Sequence, residues 1–351
     1  MRVGGSHALR TIDEAARRVA PGGTVEIEAG EYVGDVAVWD KPNVTVRAVD
    51  GPVRLKSGGV VAEGKGIFVV RADNIRIEGI EFSGARVSDR NGAGIRHEKG
   101  RLTVDRCRFL DNENGILSGN DREAELTVTH SEFGRNGAGD GRSHNLYVGT
   151  MKALTVSESY FHHARSGHLL KSRAGRSTIT YNRLADGPGG EASYELEFPA
   201  GGVAVVVGNV VEQSATTENS TVVSYGAEGF AWPRNELHIV NNTLINLRPE
   251  GGNFLAVKGS LDATTVANNI LVGSGPFPAL EPGNGNFRVS SRDLAPSLAL
   301  PRGSRLIGRT IDPGEVDGVS LRPVAEYVEP LQSRPVPRGP YNPGAFQTPA
   351  S

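Results

Sequence analysis

Three short segments hold most of the residues able to do chemistry together. They are His144-Asn145-Leu146-Tyr147-Val148-Gly149, His168-Leu169-Leu170-Lys171-Ser172-Arg173 and Tyr194-Glu195-Leu196-Glu197-Phe198-Pro199. If each is a β-strand, its side chains alternate between faces. Burying Leu146 and Val148 then turns Asn145 and Tyr147 outward. Burying Leu170 and Ser172 turns Lys171 and Arg173 outward, and burying Leu196 and Phe198 does the same for Glu195 and Glu197. Aligning the three leucines sets His144 beside His168 and puts Tyr147, Lys171 and Glu197 in one row. Rows of a parallel sheet are about 4.8 Å apart, close enough for these side chains to converge on one sugar ring.

This set of groups matches the demands of β-elimination on a uronic acid. The C6 carboxylate must be neutralised so that the C5 proton becomes acidic. A base must take that proton, and an acid must assist the 4-linked oxygen as it leaves. Lys171 is the candidate base. Tyr147 or Arg173 is placed to serve the leaving oxygen. His144 and His168 are either catalytic or a stacked structural pair. Asn145, Glu195 and Glu197 offer oxygen ligands for Ca²⁺, which would hold the carboxylate; without a metal, Arg173, Asn145 or His144 would hold it. Arg142, in the glycine-rich run Asp140-Gly141-Arg142, forms a substrate-gripping rim, and Tyr225, Glu228 and Lys258 extend the groove. Trp232 reads as a packed loop tryptophan. Two other readings compete. Lys171, Arg173, Glu195 and Glu197 can form a salt-bridge ladder on an exposed sheet. Glu195 and Glu197 can also hold their carboxyls at the roughly 6.5–9.5 Å of an inverting glycoside hydrolase.

The elements that must position these strands form a repeat. Phe82, Phe109, Phe133, Phe161, Leu184, Val211, Leu244 and Leu271 anchor successive copies, 27, 24, 28, 23, 27, 33 and 27 residues apart. Five positions before each anchor stands a β-branched apolar residue: Ile77, Val104, Val128, Val156, Ile179, Val206, Ile239 and Val266. Two positions before it stand Ile80, Cys107, Ser131, Ser159, Asn182, Asn209, Asn242 and Asn269. Coils this short, variable in length and rich in strands, predict a right-handed parallel β-helix, in which like residues stack and asparagines hydrogen-bond up the stack. Ahead of the repeat, Thr11-Ile12-Asp13-Glu14 has capping-box spacing and predicts a short helix to about Val19, capping the open end. The expected organisation is an all-β solenoid over residues 1–275 with this N-terminal capping α-helix. Residues 276–351, which hold 13 of the 20 prolines, form an extended tail packed on its outside.

Bulk properties narrow the function. A formal net charge of −2 over 351 residues argues against binding nucleic acid by overall charge. No apolar run approaches the roughly 20 residues of a membrane span. The single Cys107 excludes an intrachain disulfide and cysteine-rich metal sites. No Gly-x-Ser-x-Gly elbow and no P-loop occur. Met1-Arg2-Val3-Gly4-Gly5 is not a signal peptide.

The early helix, Gly30-Glu31-Tyr32, the coils and the asparagine run together resemble the pectate-lyase-like right-handed β-helix superfamily, over roughly residues 8 to 275. The candidate site also resembles, in part, the β-helix alginate and chondroitin-type lyases. That resemblance implies an Asn-Glu-Glu calcium site at Asn145, Glu195 and Glu197, a Lys171 base and an Arg173 acid. The order of parts departs from it: Lys171 lies one coil before the glutamates and Asn145 two. The expected function is a polysaccharide lyase acting on an acidic, uronate-containing polymer. This fold is commonest outside the cytoplasm, so the expected location is secreted or periplasmic, with the leader absent from this sequence. A glycoside hydrolase or uronate epimerase is the enzymatic alternative, and a non-catalytic glycan-binding β-helix the alternative of another class.

Overall fold

The computed structural model describes every residue except 6, 279, 281, 282, 337, 338, 340 and 351. Its core is set by the repeat. The eight anchors are fully buried and pair in register from coil to coil. The β-branched positions five residues earlier pair in the same way. Phe82, Phe109, Phe133 and Phe161 stack face to face, with centroids 5.1, 4.7 and 4.6 Å apart. Each middle coil contributes three strands, such as Glu125–Thr129, Glu132–Gly134 and Leu146–Val148. Among the described residues, the first and second strands join one 20-stranded sheet, and the third strands form a separate 9-stranded parallel sheet. This is the parallel β-helix expected.

The asparagine run forms a one-way ladder along an inner corner. The Asn182 N–H donates to Asn209 Oδ1 (2.9 Å), that of Asn209 to Asn242 (2.9 Å), and that of Asn242 to Asn269 (2.8 Å). Ser131 and Ser159 hydroxyls make the same contact for Cys107 and Ser131 (3.1 Å each). Asn286 continues the ladder below Asn269, and the strand Phe287–Val289 pairs with Ile270–Val272. The stack therefore runs past residue 275, beyond the expected boundary.

The helix spans Ile12–Arg18, with the Thr11 hydroxyl accepting from Glu14 N–H. Asp35 accepts from the Ile12 and Asp13 N–H groups at 2.7 and 3.2 Å, adding a second cap. The proline-rich tail begins against the last third strand, where the Pro276 carbonyl accepts from Phe254 N–H at 3.2 Å, and its later part lies against the long sheet. Val316 and Leu321 cover Val203, Val205, Val207 and Val240, and Asp317 ties Arg176 and Arg234 at 2.5 and 2.6 Å. No helix among the described residues is long and apolar enough to cross a membrane.

Candidate active site

The fifth, sixth and seventh strands of the nine-stranded sheet, Leu146–Val148, Leu170–Ser172 and Leu196–Phe198, carry the site. Their register puts Tyr147, Lys171 and Glu197 in one row, as the aligned leucines predict. The residues flanking each are at most 1% exposed and point inward. The row faces out because its neighbours, all apolar except Ser172, fill the core.

A continuous polar network joins the row. Glu197 Oε2 meets Lys171 Nζ at 3.0 Å and His168 Nε2 at 2.8 Å. Lys171 Nζ also lies 3.4 Å from Glu228 Oε1. Glu228 receives Arg173 in a two-point fork: NH2 to Oε1 at 2.6 Å and Nε to Oε2 at 2.7 Å. Arg173 NH1 donates to the Tyr147 hydroxyl, and the guanidinium carbon stands 5.0 Å from the centre of the Tyr147 ring. Beside the row runs a second column. His144 N–H donates to Asn114 Oδ1 (2.9 Å), and His168 N–H donates to His144 Nδ1 (2.9 Å). The two imidazoles lie 4.5 Å apart, and the His144 ring stacks on Tyr147.

Burial sets the charges. It pushes His144 well below the usual imidazole value, and nearby His168, Lys171 and Arg173 act in the same direction. A neutral His144 that accepts at Nδ1 carries its proton on Nε2. Burial also lowers His168, against the pull of Glu197. Burial opposes ionisation of Glu197, but the His168 and Lys171 contacts outweigh it and hold its carboxyl below the usual range. The pair is therefore a neutral imidazole donating Nε2–H to a carboxylate. The opposite nitrogen, His168 Nδ1, is buried without a hydrogen-bond partner among the described residues.

The calcium set does not assemble, and this corrects the expected outward parity of Asn145 and Glu195. The chain is still turning a corner before each strand begins, so these two residues point inward together with the leucine that follows. Asn145 is fully buried. Its Oδ1 accepts from Asn136 N–H and Nδ2 (3.2 and 2.8 Å), and its Nδ2 donates to the His162 carbonyl (2.9 Å). It is the end rung of a second ladder through Asn112 and Asn136. Glu195 is also fully buried, with Oε2 3.2 Å from Gln213 Nε2. Burial, reinforced by Asp186, raises its carboxyl well above the usual value, so it is held protonated. Only Glu197 remains on the outer face. A shared ion does not fit donors divided between interior and exterior, one amide already spent and one acid neutral. The same division removes the paired carboxyls of an inverting hydrolase.

The remaining expected residues separate in the same way. Tyr225 is buried, pairs with Phe198, and donates its hydroxyl to the Gly202 carbonyl at 2.6 Å, so it lines the core and not a groove. Arg142 is exposed on the loop before His144, and Lys258 is exposed two coils past Glu197. Trp232 packs over Gly175, donates Nε1–H to the Arg173 carbonyl (3.0 Å) and carries Arg122 4.4 Å from the centre of its ring. It fixes the backbone that presents Arg173.

No protein-family model and no curated protein sequence matches the chain. Among solved structures, pectate lyase Pel9A superposes with a TM-score of 0.65 at 15% identity, over 99% of this chain and 96% of that one. The fold is that of the pectate-lyase-like parallel β-helix. An alginate lyase of the PL6 family, AlyGC, matches with a TM-score of 0.39 at 13% identity, over 90% of this chain and 58% of that one. In this chain the outer face of the nine-stranded sheet carries the row of ionised and hydroxyl groups described above.

Proposed function

We propose that the chain is a polysaccharide lyase that cleaves a uronate-containing polymer by β-elimination. The observation that carries this reading is the outward row Tyr147–Lys171–Glu197, with Arg173 bonded to the Tyr147 hydroxyl beside it. The fold shared with a pectate lyase supports it. In the proposed reaction Arg173 receives the uronate carboxylate and withdraws charge from C5. Lys171, as the free amine, takes the C5 proton. The C5–H electrons form the C4=C5 double bond, the C4–O bond breaks, and the leaving oxygen takes the Tyr147 hydroxyl proton. Tyr147 already accepts from Arg173, so its own proton is free to point at the sugar. Neutral His144 stacks against the phenol, and Glu197, held by His168, orients Lys171. A substrate of this kind is extracellular, so the reading carries with it a secreted or periplasmic location.

The experiment is a panel of uronate polymers incubated with the protein. The expected product absorbs in the ultraviolet through C4=C5 conjugated with the carboxylate. New reducing ends without that absorbance would mean hydrolysis, and tight retention without new ends would mean a glycan-binding protein.

A further inference from the structure

Glu228 is unlike the other carboxylates of the site. Glu197 has a side chain only 5% exposed and belongs to the wall, whereas Glu228 is 44% exposed. It comes from the loop 226–235, which leaves the eighth coil and folds back over the sixth and seventh. The loop backbone is well anchored: Glu228 N–H donates to the Pro199 carbonyl and Ala231 N–H to the Ala200 carbonyl, both at 2.9 Å. Phe230 packs on Tyr225 with ring centroids 5.7 Å apart, and Trp232 is fixed on the Arg173 carbonyl. The Glu228 side chain takes part in none of these contacts, so it can rotate away without disturbing them.

Its carboxylate sits where a substrate carboxylate would have to go. Both oxygens fill the planar fork of Arg173 at 2.6 and 2.7 Å, and Oε1 also takes Lys171 Nζ at 3.4 Å. The fork is the arrangement in which guanidinium receives any carboxylate. Arg173 in turn holds the Glu228 carboxyl below its usual range, so it is ionised. The two cations of the site are thus already served by the protein itself.

We propose that Glu228 is an internal competitor occupying the uronate-carboxylate seat, and that a sugar carboxylate displaces it by supplying the same two oxygens to Arg173 and Lys171. This rests on the lyase reading above and adds a specificity device to it. A neutral glycan has nothing with which to replace an ionised carboxylate on Arg173 and Lys171, so the seat excludes it.

The test uses the full chain and D-glucuronate as probe, titrated calorimetrically at low ionic strength, with D-glucose as the neutral control. Removing the competitor in Glu228→Ala is expected to tighten glucuronate binding at least about tenfold, the equivalent of one charge-assisted hydrogen bond. Glu228→Gln, which keeps the shape of the side chain and loses its charge, is expected to fall between wild type and Glu228→Ala and serves alone if the alanine variant misfolds. Glucose binding is expected to stay unchanged. Equal or weaker glucuronate binding in the folded variants, or no binding in any of the three proteins, would overturn the proposal. Its failure is distinguishable from failure of the lyase reading, which is measured on wild type with polymer. Lyase product without a binding gain removes only the competitor, whereas a binding gain without lyase product removes only the reaction.

Discussion

Replacing Asn209 by leucine tests the asparagine ladder along the inner corner of the coils. Asn209 is fully buried in the middle of the run. Its Oδ1 accepts from Asn182 N–H and Nδ2 at 2.9 and 3.0 Å. Its Nδ2 donates to the Ile179 carbonyl (2.8 Å), the Val207 carbonyl (3.2 Å) and Asn242 Oδ1 (3.0 Å). Leucine has nearly the same size and removes all five contacts. Asn182 Nδ2 keeps the Val156 carbonyl, and Asn242 Oδ1 keeps the residue 209 N–H, so neither is stranded. The Asn182 N–H loses its acceptor and the Ile179 carbonyl loses a donor. Each buried orphan costs about 1–3 kcal/mol. The leucine's own burial offsets part of that, about 2 kcal/mol, leaving a net loss of about 0–4 kcal/mol. Urea unfolding followed by circular dichroism reads the total, and hydrogen exchange at the Asn182 amide reads the site directly. A variant in which the Asn182 amide stays as protected from exchange as in wild type would refute the ladder.

Three further outcomes follow from the site. Glu195→Gln should stabilise the fold increasingly as pH rises above 4.5: the buried acid has a raised folded-state pKa, so its contribution is complete below the unfolded value of 4.5 and is lost as pH climbs toward the folded one. Melting temperatures of both proteins across pH check this, and curves that stay parallel at all pH would contradict a protonated Glu195. Tyr147→Phe keeps the ring on His144 and under Arg173 but loses the hydroxyl, so kcat should fall by about 10²–10⁴ with little change in KM; unchanged kcat would pass the proton-donor role to Arg173. Activity should survive a chelator, because Asn145, Glu195 and Glu197 do not converge, and a loss restored by Ca²⁺ would require a different ligand set.

The repeat is legible in the sequence because a buried column tolerates few residue types. Eight β-branched residues and an asparagine run stand at fixed offsets from the anchors, and each offset proves to be one stacked column. The row Tyr147–Lys171–Glu197 is legible for the same reason, since Leu146, Leu170 and Leu196 align unambiguously. Parity fails at Asn145 and Glu195 because alternation holds only inside a strand, and these strands are three residues long with a corner directly before them. Tyr225 was misassigned to the groove, although its column partner Phe198 marks it as a core residue. Glu228 is expected in the groove, but its pairing with Arg173 and Lys171 is not legible. Its place in the site depends on how a loop folds back across coils, and the sequence carries only the longest repeat spacing, 33 residues from Val211 to Leu244, as a sign of it.

The central claim is that the outward row is a catalytic centre whose base is Lys171, and the turnover of Lys171→Ala tests it most directly. On whichever uronate polymer wild type converts to unsaturated product, kcat should fall by at least about 10²–10⁴. The melting temperature should change little, because His168 still binds Glu197 and Arg173 still binds Glu228. Full turnover in that variant would contradict the account and leave Lys171 as one member of a surface ion-pair ladder.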